Sequence, residues 1–175
     1  MRHDLTVVFG VSGVGKTTVC ANLAKRHHEF RHITASQLIS QTALSVGRSM
    51  DEMQAIQAEI VERVCHLRES EPRRIILDGH CVIRLASGLY QLPSEFIVAL
   101  APAMLILIEA EPETIWKRRV ERDQLAKART VDEIGLELSM TRDTCFAYHH
   151  NLSVPLRVFK SDQSDLAEDL FACLT

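Results

Sequence analysis

The stretch GVSGVGKT at residues 10–17 decides the fold, because it matches the P-loop pattern G-x-x-x-x-G-K-[ST]. The β-branched apolar run directly before it, at residues 5–9, predicts a buried parallel strand. Apolar residues at helical spacing follow over residues 17–28. A strand that turns tightly into a helix points backbone N–H groups and the positive end of the helix dipole at one spot. The stretch therefore predicts a binding site for nucleotide phosphates.

The side chains of this loop are expected to contact different parts of a triphosphate. Lys16 would reach the β- and γ-phosphates, the Thr17 hydroxyl would hold Mg²⁺, and Thr18 would contact the α-phosphate. Glycines allow backbone angles that side chains forbid, and they let phosphate oxygens come close. The predicted nucleotide-binding residues are Gly10, Ser12, Gly13, Val14, Gly15, Lys16, Thr17 and Thr18.

The composition predicts one globular domain in the cytoplasm. A length of 175 residues, with 46% hydrophobic and 25% charged residues, is typical of a single compact domain. The formal net charge of −3 gives no reason to expect a nucleic-acid partner. No apolar run reaches the roughly 18–20 residues that a membrane helix needs, and the first strand begins too early for a signal peptide. The five cysteines form no C-x-x-C pair, which favours free thiols in a reducing compartment.

Strand and helix patterns alternate along the chain. Apolar runs predict strands over residues 5–9, 32–34, 74–78, 104–108 and 156–159. Helical spacing predicts helices over residues 17–28, 35–46, 50–68, 94–100, 113–123, 131–151 and 166–174. Residues 79–93 are expected to form an irregular loop that lines a site. This alternation predicts a three-layer α/β P-loop NTPase fold, with a five-stranded parallel sheet covered on both faces, as one domain over residues 1–175.

A second group of candidates follows the third predicted strand. Asp78 ends that strand, and an acid at the carboxyl end of a strand beside a P-loop can hold Mg²⁺ together with Thr17. The alternative is a turn or helix-cap residue. Arg84 could contact the phosphate of an acceptor, while His80 could either hydrogen-bond the acceptor or simply pack.

The third candidate group is a run of arginines. Residues 117–122 are strongly basic, and the run leaves a predicted helix for a stretch of little apolar content at residues 123–130. A short cover that brings arginines onto a transferring phosphate would have this pattern, since phosphoryl transfer depends on positioning and charge neutralisation. The alternative is a solvated charged face. Arg142, one helix further on, is expected to face the same phosphates. The predicted catalytic residues are Lys16, Arg119, Arg122, Arg129 and Arg142.

The order of these parts resembles the P-loop nucleoside monophosphate kinases, and among them the archaeal-type adenylate kinases, including the compact branch with a D-x-H sequence after the third strand. The resemblance covers nearly the whole chain, but only its P-loop is distinctive by itself. The motifs that carry it are the P-loop, Asp78-Gly79-His80, Tyr90-Gln91-Leu92-Pro93, Arg118-Arg119, and Met140-Thr141-Arg142 with Tyr148.

The resemblance implies a nucleotide kinase that uses ATP and Mg²⁺. By this likeness the γ-phosphoryl group passes to a nucleoside monophosphate, with AMP or dAMP as the first expectation. The acceptor would lie between helices of about residues 35–68 and the loop after Asp78, under an arginine-bearing lid of about residues 119–131. Archaeal-type relatives also make a homo-oligomer possible.

The chain departs from this pattern at the acceptor site. Many nucleoside monophosphate kinases carry an arginine on the helix after the second strand, whereas here no arginine occurs in that region before Arg48. The acceptor-binding candidates are therefore Gln37, Arg48, His80 and Arg84. The short cover also has no cysteine quartet, so no structural zinc is expected in it.

Two alternative functions remain open from the sequence. The first is a small-molecule kinase of the same architecture, which would phosphorylate a hydroxyl with Asp78 as the base. The second is a nucleotide-dependent switch or assembly factor with slow ATPase activity. The basic cover favours phosphoryl transfer, and the missing acceptor arginine keeps the switch in consideration.

Overall fold

A computed structural model of the protein describes residues 4–39, 49–123 and 129–175. The strands are β1 Leu5–Phe9, β2 Phe30–Thr34, β3 Arg74–Asp78, β4 Val82–Leu85, β5 Gly88–Gln91, β6 Met104–Glu109 and β7 Leu156–Lys160. The helices are α1 Lys16–Arg26, α2 Met50–Ser70, α3 Ser94–Leu100, α4 Pro112–Asp123, α5 Val131–Leu152 and α6 Leu166–Leu174, with a 3₁₀ helix at Ala35–Leu38.

Five parallel strands form the central sheet in the order β2-β3-β1-β6-β7. Strand β1 lies in the middle, where Val8 pairs with Asp78 of β3 and Phe9 pairs with Leu107 of β6. The chain therefore builds the sheet first to one side of β1 and then to the other. Ligands of open parallel sheets bind at the carboxyl ends of the strands where this reversal occurs, and the P-loop follows β1 at that point.

Helices cover both faces of the sheet, which confirms the predicted three-layer α/β architecture. Val7 and Phe9 of β1 point to one face and pack in a core with α2, α3 and α5. Val8 points to the other face and packs in a second core with α1, α4 and α6. Because neighbouring residues of a strand face opposite sides, one buried apolar strand supplies both cores.

The segment after β3 was expected to be an irregular loop, and this expectation is wrong. It forms the β-hairpin β4–β5, in which Ile83 pairs with Tyr90. Helix α5 anchors the end of this hairpin, since the Gln91 side chain donates to the Thr144 hydroxyl at 2.8 Å and the Tyr148 hydroxyl donates to the Leu92 carbonyl. These partners lie more than fifty residues away in the sequence, so local patterns did not indicate them.

Two long helices begin with capping boxes. Ser49 and Glu52 exchange hydrogen bonds at the start of α2, and Thr130 and Glu133 do the same at the start of α5. The helix expected at residues 35–46 begins as the 3₁₀ helix, and residues 40–48 lie outside the described part of the chain. Among the described helices, none has the length and apolar content needed to cross a membrane.

Glu71, directly after α2, ties this helix to the sheet away from the P-loop. Its carboxylate accepts from the side chains of Arg73 (2.8 Å) and Arg31. These hydrogen bonds, first from Arg73 and then from Arg31, lower the pKa of Glu71 to about 2. A depressed carboxyl pKa stabilises the folded state above the unfolded-state pKa of roughly 4, and this contribution is lost as the pH falls toward 2.

We predict that Glu71→Gln lowers the free energy of unfolding by about 1 kcal/mol at pH 7, since both arginines are partly in solvent that screens the pairing. The gap between variant and wild type should narrow as the pH falls from about 5 toward 2. Urea unfolding at several pH values measures it. Glu69→Gln, an exposed neighbour on α2, is the control. A gap of the same size at pH 7 and pH 3 would contradict the role given to the Glu71 charge.

Candidate active site

The P-loop connects β1 to α1, and two of its glycines are required by their surroundings. Gly13 has a φ of +84°, and a Cβ atom there would lie 3.2 Å from Cγ of Arg119. A Cβ atom on Gly10 would lie 2.6 Å from the carbonyl oxygen of Ile108, which is closer than real contacts allow. The loop can therefore pack against β6 and α4 only with glycine at these positions.

A cavity of about 630 Å³ opens over the loop, and we call it the P-loop cavity. It contains seven of the eight predicted nucleotide-binding residues, while Gly10 lies beneath the loop. Its lining is Ser12, Gly13, Val14, Gly15, Lys16, Thr17, Thr18, Val19, His80, Arg118, Arg122 and Ser161.

Lys16 lies buried at the base of this cavity. Its ammonium group donates to the Val11 carbonyl at 3.3 Å and to Nε2 of His80 at 3.2 Å. Burial lowers the pKa of Lys16 to about 8, although the nearby Asp78 carboxylate opposes the shift. The side chain therefore remains protonated at neutral pH. A bound phosphate could replace these two neutral acceptors with a charged one, which makes a stronger hydrogen bond.

His80 is the hydrogen-bond acceptor of Lys16 and stands at the edge of the cavity. His80 is exposed to solvent at the cavity, but the protein atoms near its ring, followed by the positive charge of Lys16, lower the pKa of His80 below its usual value. The imidazole is therefore neutral at physiological pH. A base this weak would not remove a proton from a hydroxyl group efficiently, because general bases work best with a pKa near the operating pH.

Asp78 lies beside the loop with its carboxylate held by two donors. Burial would raise its pKa, but hydrogen bonds from Nε2 of His32 (3.0 Å) and from the Thr17 hydroxyl, together with the charge of Lys16, keep the pKa of Asp78 below its usual value. An ionised carboxylate next to a threonine hydroxyl is a hard oxygen pair that fits Mg²⁺. This ion typically takes one or two carboxylates and completes its shell with water and phosphate oxygens. The described residues hold no cluster of three or more acidic, histidine or cysteine ligands.

Helix α4 brings three arginines to the loop. Arg118 donates to the Val14 carbonyl at 2.9 Å, and Nε of Arg119 donates to the Ser12 carbonyl at 2.8 Å. Arg122 approaches the Ser12 hydroxyl at 3.4 Å. The predicted residues Arg119 and Arg122 therefore lie at the P-loop, and Arg118 joins them although it was not in the predicted catalytic set.

Glu137 of α5 completes this group of charges. Its buried carboxylate accepts from Arg119 at 3.3 Å and from Arg129 at 3.0 Å. Sequence reasoning missed both Glu137 and His32. A signal for Glu137 was available, because it shares one helical face with Ile134, Thr141 and Cys145, all of which are buried. No comparable pattern marked His32.

Several predicted site residues lie elsewhere. Arg142 was expected to face the P-loop phosphates, but its guanidinium donates to Glu109 at 2.7 Å and lines a separate cavity with Lys160. Gln37 is used at the start of the 3₁₀ helix, where its carbonyl oxygen accepts from the backbone of Thr34. The exposed Arg84 side chain is not among the residues that line either the P-loop cavity or its neighbour described below. Arg48 lies outside the described residues.

A second cavity of about 160 Å³, the apolar cavity, lies next to the first. It is enclosed by the 3₁₀ helix, α2, the hairpin and α3, and among the described residues its polar side chains are those of Ser36, Gln57 and His80. His80 lines both cavities. The lining is Val7, Phe9, Ala35, Ser36, Ile39, Met53, Ile56, Gln57, Ile60, Leu77, Gly79, His80, Ile83, Leu92, Phe96 and Leu100.

Comparisons with known proteins agree with this geometry. A family model described as an AAA domain (AAA_17) matches residues 9–135, which is most of the chain. The chain belongs to this family. Its sequence relatives show that it is a P-loop kinase. An adenylate kinase from Methanopyrus kandleri is 30% identical over 93% of this chain and 91% of that protein. An adenylate kinase from Thermococcus kodakarensis is 27% identical over 94% of this chain and 90% of that protein.

The fold of the kinase is also shared with kinases of other substrates. The structure of a sugar kinase from Janibacter superposes with a TM-score of 0.62 and covers 98% of this chain and 94% of that one, at 15% sequence identity. At this identity the likeness concerns the fold alone. The fold by itself therefore does not identify the acceptor.

We predict that Lys16→Ala reduces turnover at least about 100-fold, as the loss of comparable charge-stabilising groups does. The fold should remain intact, because removing a buried ammonium also removes its desolvation cost. ADP formation and thermal unfolding measure the two effects. Lys25→Ala, on the exposed face of α1, is the control. Turnover near the wild-type rate in Lys16→Ala would defeat the P-loop assignment.

Proposed function

We propose that the protein transfers the γ-phosphoryl group of Mg·ATP to a nucleoside monophosphate, with AMP or dAMP as acceptor. The observation that carries this proposal is the position of His80, which lines both the P-loop cavity and the apolar cavity. A donor phosphate held over Lys16 and an acceptor held in the apolar cavity would meet at this residue. Transfer between two bound substrates needs such a shared boundary.

On the donor side, the chain supplies cations and backbone donors. The loop would hold the polyphosphate, Lys16 would move from its neutral partners to the β- and γ-phosphates, and Arg122 would contact the same group. Thr17 and Asp78 would hold Mg²⁺, which when bound neutralises charge on the phosphate oxygens. This arrangement matches a reaction that depends on positioning and charge stabilisation.

On the acceptor side, the titration states favour a phosphate over a hydroxyl. A nucleoside monophosphate is already ionised at neutral pH, so it needs no strong base. The imidazole of His80 is neutral and very weakly basic, and Asp78 is engaged by His32 and Thr17. A hydroxyl acceptor would need one of these groups as its base, which argues against a sugar or a hydroxy acid.

The apolar cavity favours a nucleobase over a polyhydroxylated substrate. A sugar in this cavity would leave hydroxyl groups without partners, which costs free energy for each group. A flat aromatic base can instead pack against Met53, Ile56 and Phe96 and use the few polar groups for recognition. The amide nitrogen of Gln57 donates to the Tyr90 hydroxyl at 3.4 Å, so its oxygen can accept from an exocyclic amino group. This arrangement supports a base with an exocyclic amino group, as adenine has, over uracil or thymine.

The acceptor is tested by a screen with chromatographic readout. Mg·ATP is incubated with each ribo- and deoxyribonucleoside monophosphate, with sugars and with hydroxy acids. We expect ADP together with a matching nucleoside diphosphate for AMP or dAMP, because adenine carries an exocyclic amino group that Gln57 can recognise and the sequence relatives are adenylate kinases. Phosphorylated sugar or hydroxy acid would instead establish the small-molecule kinase. Slow ADP formation that ignores every acceptor would favour the nucleotide-dependent switch.

A variant pair separates base recognition from general effects on α2. Gln57→Leu should raise the KM for the acceptor, AMP or dAMP, about tenfold, which is the typical scale of one lost polar contact to a bound ligand. The KM for ATP should not change. Gln54→Leu, exposed on the same helix, should leave both values unaltered. Equal KM values for Gln57→Leu and wild type would remove this residue from acceptor recognition.

A further inference from the structure

Glu137 occupies an unusual position for a carboxylate. Its side chain is only 8% exposed, and it lies between two guanidinium groups, those of Arg119 and Arg129. Burial of a charge is costly unless partners compensate for it. The buried Glu137 carboxylate therefore carries a desolvation cost that an apolar side chain of similar size would not have.

Arg119 connects this carboxylate directly to the P-loop. Nε of Arg119 donates to the Ser12 carbonyl, while both terminal nitrogens of the same guanidinium contact the Glu137 carboxylate at 3.3–3.4 Å. A guanidinium is planar and rigid, so contacts on two of its edges fix its orientation. Cγ of the same side chain would lie 3.2 Å from a Cβ atom at Gly13, whose φ of +84° also favours glycine.

Arg129 is held by the same carboxylate but less tightly. One terminal nitrogen donates to Glu137 at 3.0 Å, and the side chain is 33% exposed. The carboxylate also acts on Lys16, because its negative charge is among those that raise the pKa of the Lys16 ammonium. Glu137 therefore influences three cations at or beside the P-loop.

We propose that Glu137 is a positioning residue for phosphoryl transfer, which fixes Arg119 against the P-loop and holds Arg129 where it can meet the γ-phosphate. This role goes beyond the proposed function, and only its kcat measurement rests on that function. Arg119 stays on the loop as a fixed contact. Arg129 is partly exposed, so it could exchange its carboxylate partner for a phosphate group, which is also an anionic acceptor of bidentate hydrogen bonds.

The test compares Glu137→Gln with a matched control elsewhere in the fold. Glutamine keeps the size and one acceptor oxygen of the side chain but removes its charge. Glu71→Gln removes the same kind of group, a buried carboxylate between two arginines, at a place remote from both cavities. Both variants should lose a similar amount of thermal stability. Only Glu137→Gln should lower kcat, at least about tenfold, because an arginine that is no longer held in position stabilises the transition state less well.

A second readout does not depend on any acceptor. ATP and ADP differ by the γ-phosphate, so the ratio of their dissociation constants reports contacts to that group. Titration calorimetry on Glu137→Gln should show the preference for ATP over ADP reduced at least about fivefold, a loss of the scale of one charge-assisted contact. The same ratio in Glu71→Gln should equal that of wild type. A fall in this ratio without turnover of any acceptor would uphold the positioning role and refute the proposed function.

The double variant Glu137→Gln/Arg129→Ala shows whether the carboxylate acts through the arginine. If it does, the effects of the two substitutions on kcat overlap, and the double variant loses much less than the product of the single losses. An unchanged ATP/ADP ratio in Glu137→Gln would overturn the proposal. Fully multiplicative losses in the double variant, or a kcat within twofold of wild type in Glu137→Gln, would overturn it as well.

Discussion

The hydrogen bond between the Lys16 ammonium and Nε2 of His80 is the contact on which the rest of the site depends. It joins the P-loop to the end of β3, and it places one neutral imidazole at the boundary between two cavities. Burial lowers the pKa of Lys16, and the surrounding protein atoms, followed by the charge of Lys16, lower the pKa of His80. A phosphate that enters the P-loop cavity can take the ammonium away from two neutral acceptors, so binding replaces weak partners by a strong one.

The other charged residues around the P-loop cavity are also paired with partners. The arginines of α4 donate to carbonyls of the loop, and the Glu137 carboxylate compensates two guanidinium groups nearby. Asp78 is compensated by His32, Thr17 and Lys16. The charged groups described at the P-loop cavity are thus held by partners before any substrate arrives. Such preorganisation reduces the reorganisation that phosphoryl transfer requires.

The sequence predicted those parts of the fold and site that depend on neighbouring residues. Strand β3 and helix α3 have the expected bounds, because apolar runs and helical spacing are local signals. The β4–β5 hairpin, the pairing of Arg142 with Glu109, and the roles of His32 and Glu137 depend on residues far apart in the chain. Local patterns carry no information about such partners. The basic run on α4 predicted that Arg119 and Arg122 lie near the phosphate site, and both contact Ser12 of the P-loop. This prediction was possible because both residues lie on one short helix.

The central claim is that the two cavities that share His80 are the donor and acceptor sites of one reaction. Its most direct test is a crystal structure with a bisubstrate analogue, in which two adenosine groups are joined by a chain of five phosphates. We predict one adenosine above the P-loop cavity, the phosphate chain passing Lys16 and His80, and the second base in the apolar cavity beside Gln57. An analogue bound only through the P-loop, with its second adenosine in solvent and the apolar cavity unchanged, would contradict the account.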